Sequence, residues 1–429
     1  MAESETSFSK KAAKGSRAKG LRCQVCTGCG LCPGVQRKAP EGMRILTQDL
    51  MGGKLSLKSE DGIRLAAADL GTTTIAIELF RADGSVEERF VLLNPQAEFG
   101  ADVLSRIQAA KDPATGKKMK ELVRSALAQG AERFLKCLLP GETLVMVIAA
   151  NTTMSYLLMG WDPQELGQAP FEATHLAGAR FELNGIQCLL LPGFSAFVGG
   201  DLLAGAVAAS MAEKEEVTLL VDLGTNGEIL IGNKERILGT ATAAGPAFEG
   251  GAGRGVFGAD LVKCVARLRE EGFLDETGLL AQPYFEAGIL VGNLRLSKEA
   301  VRSLQVAKAA ILAGIQIVTR QYGIAMEEIS QVILAGGFGY FLDPADAVRI
   351  GLLPACLEKK AISGGNTALA GAKRVGAGLL QKEFWELEPG KLLKTETVWK
   401  DSVKVEVINL ALQEDFPERY LAAMTLDPA

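Results

Sequence analysis

From Ile63 onward, apolar residues come in short blocks separated by Gly-rich turns and by amphipathic stretches of helical period. IRLAAADLGTTTIAIELF (63–80) reads as two strands joined by a tight Gly-Thr turn, and FVLLNP (90–95) resembles a third strand. Helical patterning covers Ala101–Ala110 and Lys118–Leu138, and a buried strand follows at Leu144–Ala150. A further helix is expected at Leu202–Met211. A second cycle then opens at VTLLVDLGTNGEILIGN (Val217–Asn233), again strand, turn and strand.

The element Asp-Leu-Gly-Thr thus occurs twice, at Asp69–Thr72 and Asp222–Thr225, each between apolar β runs. Two such units about 150 residues apart point to a duplicated α/β fold with two similar lobes, expected at 63–213 and 214–429, the second with a C-terminal extension. Ahead of them lie a Lys/Ser/Ala/Gly-rich stretch, 1–20, expected to be a disordered tail, a four-cysteine loop at 21–34 and a polar connector at 35–62.

Composition narrows the function. Of 429 residues, 46 are basic and 51 acidic, a net charge of −5 with no basic footprint, so nucleic acid is not an expected partner. Purely apolar runs such as Val145–Ala150 fall short of a membrane span, and the N-terminus has no apolar signal region, so the chain is expected to be cytoplasmic, away from membranes. A single histidine, His175, excludes His-pair chemistry and multi-His metal sites and is expected to be structural. Cys137, Cys188, Cys264 and Cys356 sit in apolar contexts and are expected to be inert core thiols.

The duplicated turns carry candidate chemistry. A Gly/Thr hairpin exposes N–H groups and hydroxyls that can wrap phosphate oxygens, and an Asp before it can hold a magnesium ion through water. Two facing hairpins would clamp a phosphate chain. QVILAGGFGYF (Gln331–Phe341) runs a strand into Gly336, Gly337 and Gly339, where a nucleoside can lie against bare backbone, and AAGPAFEGGAGRG (Ala243–Gly255) is a Gly-rich loop. No Walker A sequence is present. These four elements, in this order, resemble the superfamily of acetate and sugar kinases, heat-shock chaperones and actin. That resemblance implies ATP bound between two ribonuclease H-like lobes.

CQVCTGCGLCP places Cys23, Cys26, Cys29 and Cys32 at every third residue, with Pro33 after the last. Four thiolates on one loop can wrap a [4Fe–4S] cluster, and the spacing is close to the bacterial ferredoxin run, with two residues instead of three before the last cysteine. Structural zinc and free thiols are the alternatives. An ATPase beside a redox cluster suits delivery of an electron to a very low-potential acceptor.

NPQAEFGADVLSRI (94–107), NTTMSYLLMGWDPQEL (151–166), LPGFSAFVGGDLLAG (191–205), DLGTNGEILIGN, ATAAGPAFEG, LSKEAVRSLQVAKAAILAGI (296–315), LAGGFG and IGLLP (350–354) follow in sequence. Together they resemble the reductive activators of corrinoid-dependent enzymes, from about Leu65 to the C-terminus. The resemblance implies that ATP and an iron–sulfur cluster return an inactive cobalt(II) corrinoid protein of a methyltransferase system to cobalt(I). It departs from better-known members in its compact cysteine loop, and in Ala150-Asn151-Thr152 where the family has Gly-Asn-Thr. Carried over by position, Asp69, Gly71, Thr72 and Thr73 would form the first phosphate hairpin. Asp222, Gly224, Thr225 and Asn226 would form the second, the two Asp residues organising Mg²⁺ and water. Gly245, Pro246 and Glu249 would line the nucleotide, and Gly336, Gly337 and Phe338 would hold the adenosine. Asp201 either orients the attacking water or caps its helix, and Lys308 either snorkels from an apolar helix face or meets the nucleotide. An upstream low-potential electron donor is implied, and a single cluster on a tethered loop permits a homodimer with the cluster at its interface. The competing readings are an electron donor to another low-potential enzyme, such as a dehydratase or reductase, and a small-molecule kinase with a structural cysteine loop.

Overall fold

The two Asp-Leu-Gly-Thr turns fold their flanking apolar runs back as antiparallel hairpins, and each hairpin seeds a sheet. In the computed structural model, residues 50–51, 55–59, 62–224, 226–245, 258–291, 294–380 and 403–428 are described. The first sheet contains β1 (Ile63–Leu70), β2 (Thr74–Phe80), β3 (Val86–Leu93), β4 (Thr143–Ala150), β5 (Ala179–Leu183) and β6 (Ile186–Leu190), in the order β3-β2-β1-β4-β6-β5. The second contains β7 (Thr218–Leu223), β8 (Gly227–Gly232), β9 (Arg236–Thr242), and then β12 (Gln331–Ala335), β13 (Ala361–Gly365) and β14 (Lys404–Val407), in the order β13-β12-β7-β8-β9-β14. A small ribbon, β10 (Ile289–Val291) with β11 (Leu294–Leu296), stands apart. In each sheet a three-stranded antiparallel meander meets a parallel return strand beside its first strand: β4 on β1, and β12 on β7. The duplication is therefore one of topology, and the fold is the two-lobed α/β arrangement that the sequence leads one to expect.

The helices of the first half are α1 (Val103–Ala109), α2 (Pro113–Leu135), α3 (Thr152–Met159) and α4 (Gly200–Ala208). Those of the second are α5 (Gly258–Glu270), α6 (Tyr284–Ala287), α7 (Lys298–Tyr322), α8 (Gly336–Gly339), α9 (Pro344–Arg349), α10 (Thr367–Leu380) and α11 (Phe416–Ala422). α2 begins at Pro113 and not at Lys118, because the Asp112 side chain accepts from the Thr115 N–H at 3.1 Å and a proline at the first helical position is pre-set for the turn.

Strand alternation divides the apolar side chains among three cores. Ala66, Ala68 and Leu70 of β1 face a core shared with α2, whereas Leu65 and Ala67 face the opposite way. On that opposite side lies the middle core, in which α4 and α10 are packed between the sheets with Leu220, Leu230 and Ile333 of the second sheet. The third core covers the far face of the second sheet with α5, α7 and α9. α10 follows β13 of the second sheet in sequence but packs on the first: the Cβ that Gly376 lacks would stand 2.6 Å from Leu65 Cδ1.

Among the described residues α7 is the one helix long and apolar enough to cross a membrane, and 78% of its most apolar window is buried inside the protein. Lys308 on this helix does not snorkel; its ammonium is turned inward onto backbone carbonyls. It is 1% exposed, and its Nζ donates to the carbonyls of Gly351, at 3.3 Å, and Thr425. Burial lowers its pKa to about 8 against the opposing pull of Asp427. Between that value and the ordinary 10.5, the unfolded chain binds more protons than the folded one. Folding is therefore favoured as pH rises through this window. Wild type is expected to gain stability relative to Lys308→Met between about pH 7.5 and 10, read by denaturant titration; parallel curves would refute it. Of the scattered cysteines, Cys188 and Cys264 are buried, with burial pushing their thiols up to about 12 and about 11. Cys137 is half-buried and Cys356 is exposed, so core burial does not extend to all four.

Candidate functional site

Four carboxylates meet where the C-terminal ends of β1 and β7 face the N-termini of the two middle helices. Asp69 is the penultimate residue of β1, Asp222 is the penultimate residue of β7, Asp201 lies in the first turn of α4, and Glu228 lies on β8. Glu228 is the member that sequence reasoning missed. The signal was available: in the second hairpin Asp222 and Glu228 are directly opposed across the strands, which puts both on one face. In the first hairpin Ala76 opposes Asp69, so the duplication is not symmetric in charge.

Burial raises all four carboxyl pKa values. Asp69 is pushed to about 6, partly offset by a hydrogen bond from Asn366 Nδ2 to its Oδ2 at 2.8 Å. Asp201 rises through burial and the neighbouring charge of Asp69, and Asp222 through burial and the charges of Asp201 and Asp69. Glu228 rises through burial and the charges of Asp201 and Asp222. Such mutual repulsion in a poorly solvated place is relieved by a cation or by protons. Among the described residues no three His, Cys, Asp or Glu side chains are grouped tightly enough to ligate a metal ion directly. A set of acidic side chains without a direct-ligation cluster is compatible with a hydrated divalent cation.

Asp201 does not cap its helix. The N-cap of α4 is Gly199, without a side-chain bond, and Asp201 Oδ1 accepts the next N–H, from Leu202, at 2.8 Å. Gly199 is required there by proximity: a Cβ would stand 2.5 Å from the Asn151 Cα.

The first hairpin turn is braced from below by polar side chains. Gly71 N–H donates to the Thr74 carbonyl at 2.9 Å, closing the turn, and Asn94 Nδ2 donates to the Gly71 carbonyl at 2.9 Å. The Thr73 carbonyl accepts from the Asn94 N–H at 2.9 Å. Asn151 Nδ2 donates to Thr72 Oγ1 at 3.1 Å while its Oδ1 caps α3, so the Ala150-Asn151-Thr152 turn ties to the hairpin. Arg106, fully buried, donates from Nη2 to the Thr72 carbonyl at 2.6 Å and from Nε to the Gly100 carbonyl at 3.1 Å. Carbonyls pinned from one side leave the turn preorganised. Arg106 was not anticipated, because nothing local in VLSRIQA marks an arginine that reaches a turn far away in sequence.

In the second hairpin Gly224 N–H donates to the Asn226 carbonyl at 3.1 Å. Gly336, at the β12–α8 junction, has φ +78°, and a Cβ there would lie 2.4 Å from Asp222 Oδ1. The glycine-rich turn is thus pressed against the carboxylate cluster. Gly337 faces open space, with nothing within 4 Å of its missing Cβ. Phe338, expected beside the adenosine, has its ring 5% exposed and packed in the outer core of the second sheet. Gly245 has φ +74° and open surroundings. Thr225, Pro246, Glu249 and the cysteines Cys23, Cys26, Cys29 and Cys32 lie outside the described residues. His175 stacks on Trp161, ring centroids 4.5 Å apart.

Comparison with known proteins agrees with this architecture. The model of the RACo middle region matches residues 65–214, and that of the C-terminal domain of RACo, the ASKHA domain, matches 216–254 and 252–429. Corrinoid activation enzyme RamQ of Eubacterium limosum is 29% identical over 397 residues, covering 76% of this chain and 66% of its own. The Co(II) methylated amine-specific corrinoid protein reductase of Methanosarcina barkeri is 23% identical over 255 residues, covering 48% and 47%. The chain thus spans just under two thirds of the first relative and about half of the second. The solved structure of a reductive activator for corrinoid,iron-sulfur protein superposes with a TM-score of 0.71 at 26% identity, covering 86% of this chain and 67% of that one. With matched regions running from residue 65 to the C-terminus and the same two-lobed fold, the chain belongs to the RACo family of reductive activators.

Proposed function

We propose that this protein is an ATP-dependent reductive activator that passes one low-potential electron from an iron–sulfur cluster on Cys23, Cys26, Cys29 and Cys32 to a corrinoid protein of a methyltransferase system, taking cobalt(II) to cobalt(I). The observation that carries the reading is the carboxylate cluster at the ends of two duplicated Gly-containing hairpins, in a chain with a compact four-cysteine loop. The relatives' names supply the acceptor: one is a corrinoid activation enzyme, another a Co(II) corrinoid protein reductase.

In this reading the hairpins at Gly71–Thr73 and Gly224–Asn226 hold the phosphate chain from opposite sides, with Gly245, Pro246 and Glu249 alongside. Gly336 and Gly337 offer backbone to the adenosine. Asp69 and Asp222 organise Mg²⁺ and its waters. Asp201 orients the attacking water and, with its raised pKa, accepts the proton that water gives up. The cluster, when bound, supplies the one-electron chemistry. Because about 59 mV in a one-electron couple is worth about 1.4 kcal/mol, work from nucleotide closure can shift an unfavourable transfer substantially. An upstream low-potential donor re-reduces the cluster.

The test is anaerobic iron and acid-labile sulfide analysis with EPR of the reduced protein, followed by ATP-dependent reduction of a cobalt(II) corrinoid protein. About four irons per chain and a reduced-cubane signal are expected. Zinc, or no metal after reconstitution, would overturn the electron-transfer reading in favour of a small-molecule kinase. A loaded cluster that reduces another low-potential enzyme, but no corrinoid protein, would change the client.

A further inference from the structure

The two middle helices connect the carboxylate site to the place where the cysteine-bearing segment joins the folded protein. At the site end, Asn366 N-caps α10 through its Oδ1, which accepts the Leu369 N–H at 2.8 Å, and gives its Nδ2 to Asp69 Oδ2, also at 2.8 Å. α4 carries Asp201 in its first turn, within reach of the charge of that same Asp69. Along their length the helices touch through almost bare backbone: a Cβ on Gly371 would lie 1.8 Å from the Ala204 carbonyl oxygen, and one on Gly205 would lie 3.1 Å from Thr367 Oγ1. Helices at such close range cannot slide or rotate independently, so a displacement at one end is delivered to the other.

At the far end stands Arg374, about 12 Å along α10 from Asn366 at the rise of an α-helix. It reaches across α4 to the Val207 carbonyl at 3.5 Å and Ser210 Oγ at 3.3 Å, and its Nη2 donates to the Met51 carbonyl at 2.6 Å. Met51 and Leu55 pack against the middle core, Leu57 is buried in it, and the Leu57 N–H pairs with the Ala82 carbonyl at 2.8 Å. Met51, Leu55 and Leu57 are therefore where the N-terminal segment meets the protein, and Arg374 fastens Met51 to both helices at once. Cys32 lies only 18 positions before Leu50 in sequence. At no more than about 3.6 Å per residue, the position of this anchor limits where the cysteine loop can reach.

We propose that Arg374 is a positioning residue for electron delivery, linking the orientation of the cysteine-bearing segment to the nucleotide state of the carboxylate site through the α4–α10 pair. The inference rests on the reading of the chain as an ATP-driven electron donor. Asn366 holds Asp69 only in one arrangement of that carboxylate, so a nucleotide state that re-aims Asp69 changes the cap of α10. The helix pair is the element both ends bias, and a rigid shift of packed helices is an ordinary route for such a signal.

Hydrogen–deuterium exchange of the full-length holoprotein tests this, comparing peptides that span 50–57 with Mg-ATP and with Mg-ADP. Wild type is expected to show a nucleotide-dependent difference of about fivefold or more in exchange. In Arg374→Gln that difference is expected to collapse below about twofold, and electrons delivered per ATP are expected to fall with it, while ATP hydrolysis stays within about twofold of wild type. Ser210→Gly, which removes one of the arginine's partners and keeps the positive φ of that position, is expected to be intermediate. Arg374→Lys is expected to restore part of the response. An unchanged nucleotide response in Arg374→Gln, or none in wild type that hydrolyses ATP and reduces its acceptor, would overturn the inference and leave the proposed function standing. Absence of ATP hydrolysis or of a cluster in wild type would instead overturn the function.

Discussion

Asp222→Asn is expected to lower ATP turnover by about 10²–10³-fold, measured as phosphate release at saturating Mg-ATP, while leaving the folded protein at least as stable as wild type without a cation. The opposite signs are the useful part. Asp222 is raised by burial and by the charges of Asp201 and Asp69, and it raises Glu228 in turn, so removing its charge relieves the repulsion within the cluster. The same charge is what would draw Mg²⁺ and its water shell into place. A merely structural carboxylate would lose stability and keep turnover. Loss of activity below about tenfold would count against Asp222 as an organiser of the ion. Gly336, whose missing Cβ leaves room for Asp222 Oδ1, fixes where that carboxylate stands, so Asn at 222 meets no new steric demand.

Gly371→Ala is expected to produce the largest loss of stability from a single methyl group, about 3 kcal/mol, because the added carbon would lie 1.8 Å from the Ala204 carbonyl oxygen. The obstacle is backbone, not a side-chain tip that can swing aside, so α4 and α10 must separate or one must deform. A control lies on the same helix. Gly378 has nothing within 4 Å of its missing Cβ, and Gly378→Ala is expected to stabilise by about 0.5–1 kcal/mol through helix propensity. Denaturant unfolding of the pair decides it: equal effects at 371 and 378 would mean that the close approach is not a constraint.

Much of the fold was legible because it is written in local signals. Apolar runs broken at Asp-Leu-Gly-Thr foretell both hairpins, and their repetition foretells two lobes. The carboxylates Asp69 and Asp222 follow from the same motif. What escaped was whatever depends on long-range register or on distant backbone. Glu228 joins the cluster through its place opposite Asp222, which a hairpin register would have revealed. Arg106 and Lys308 are single charged residues that donate to backbone carbonyls, at Thr72 and Gly100 for the first, which also reaches Gln96 and Met154, and at Gly351 and Thr425 for the second. Backbone carbonyls leave no trace in a sequence. Phe338 shows a related limit: the glycines around it mark an open backbone, but the direction of the ring is set by the core beneath the second sheet.

The return of α10 to the first sheet also governs how this chain can be made. Strands β1 to β6 leave the ribosome first, but the face of β1 that carries Leu65 has its covering helix only once residues 367–380 have been synthesised. Until then the nascent first half carries an uncovered apolar surface, the condition under which intermediates aggregate or recruit chaperones. Cutting the gene between the two halves would accordingly yield a first piece without its lid of Leu369, Ala372 and Val375, and a second whose last long helix has lost the sheet it covers. A duplicated architecture thus has its first sheet covered by a helix made late in synthesis, so the two halves are expected to fold together and not in turn.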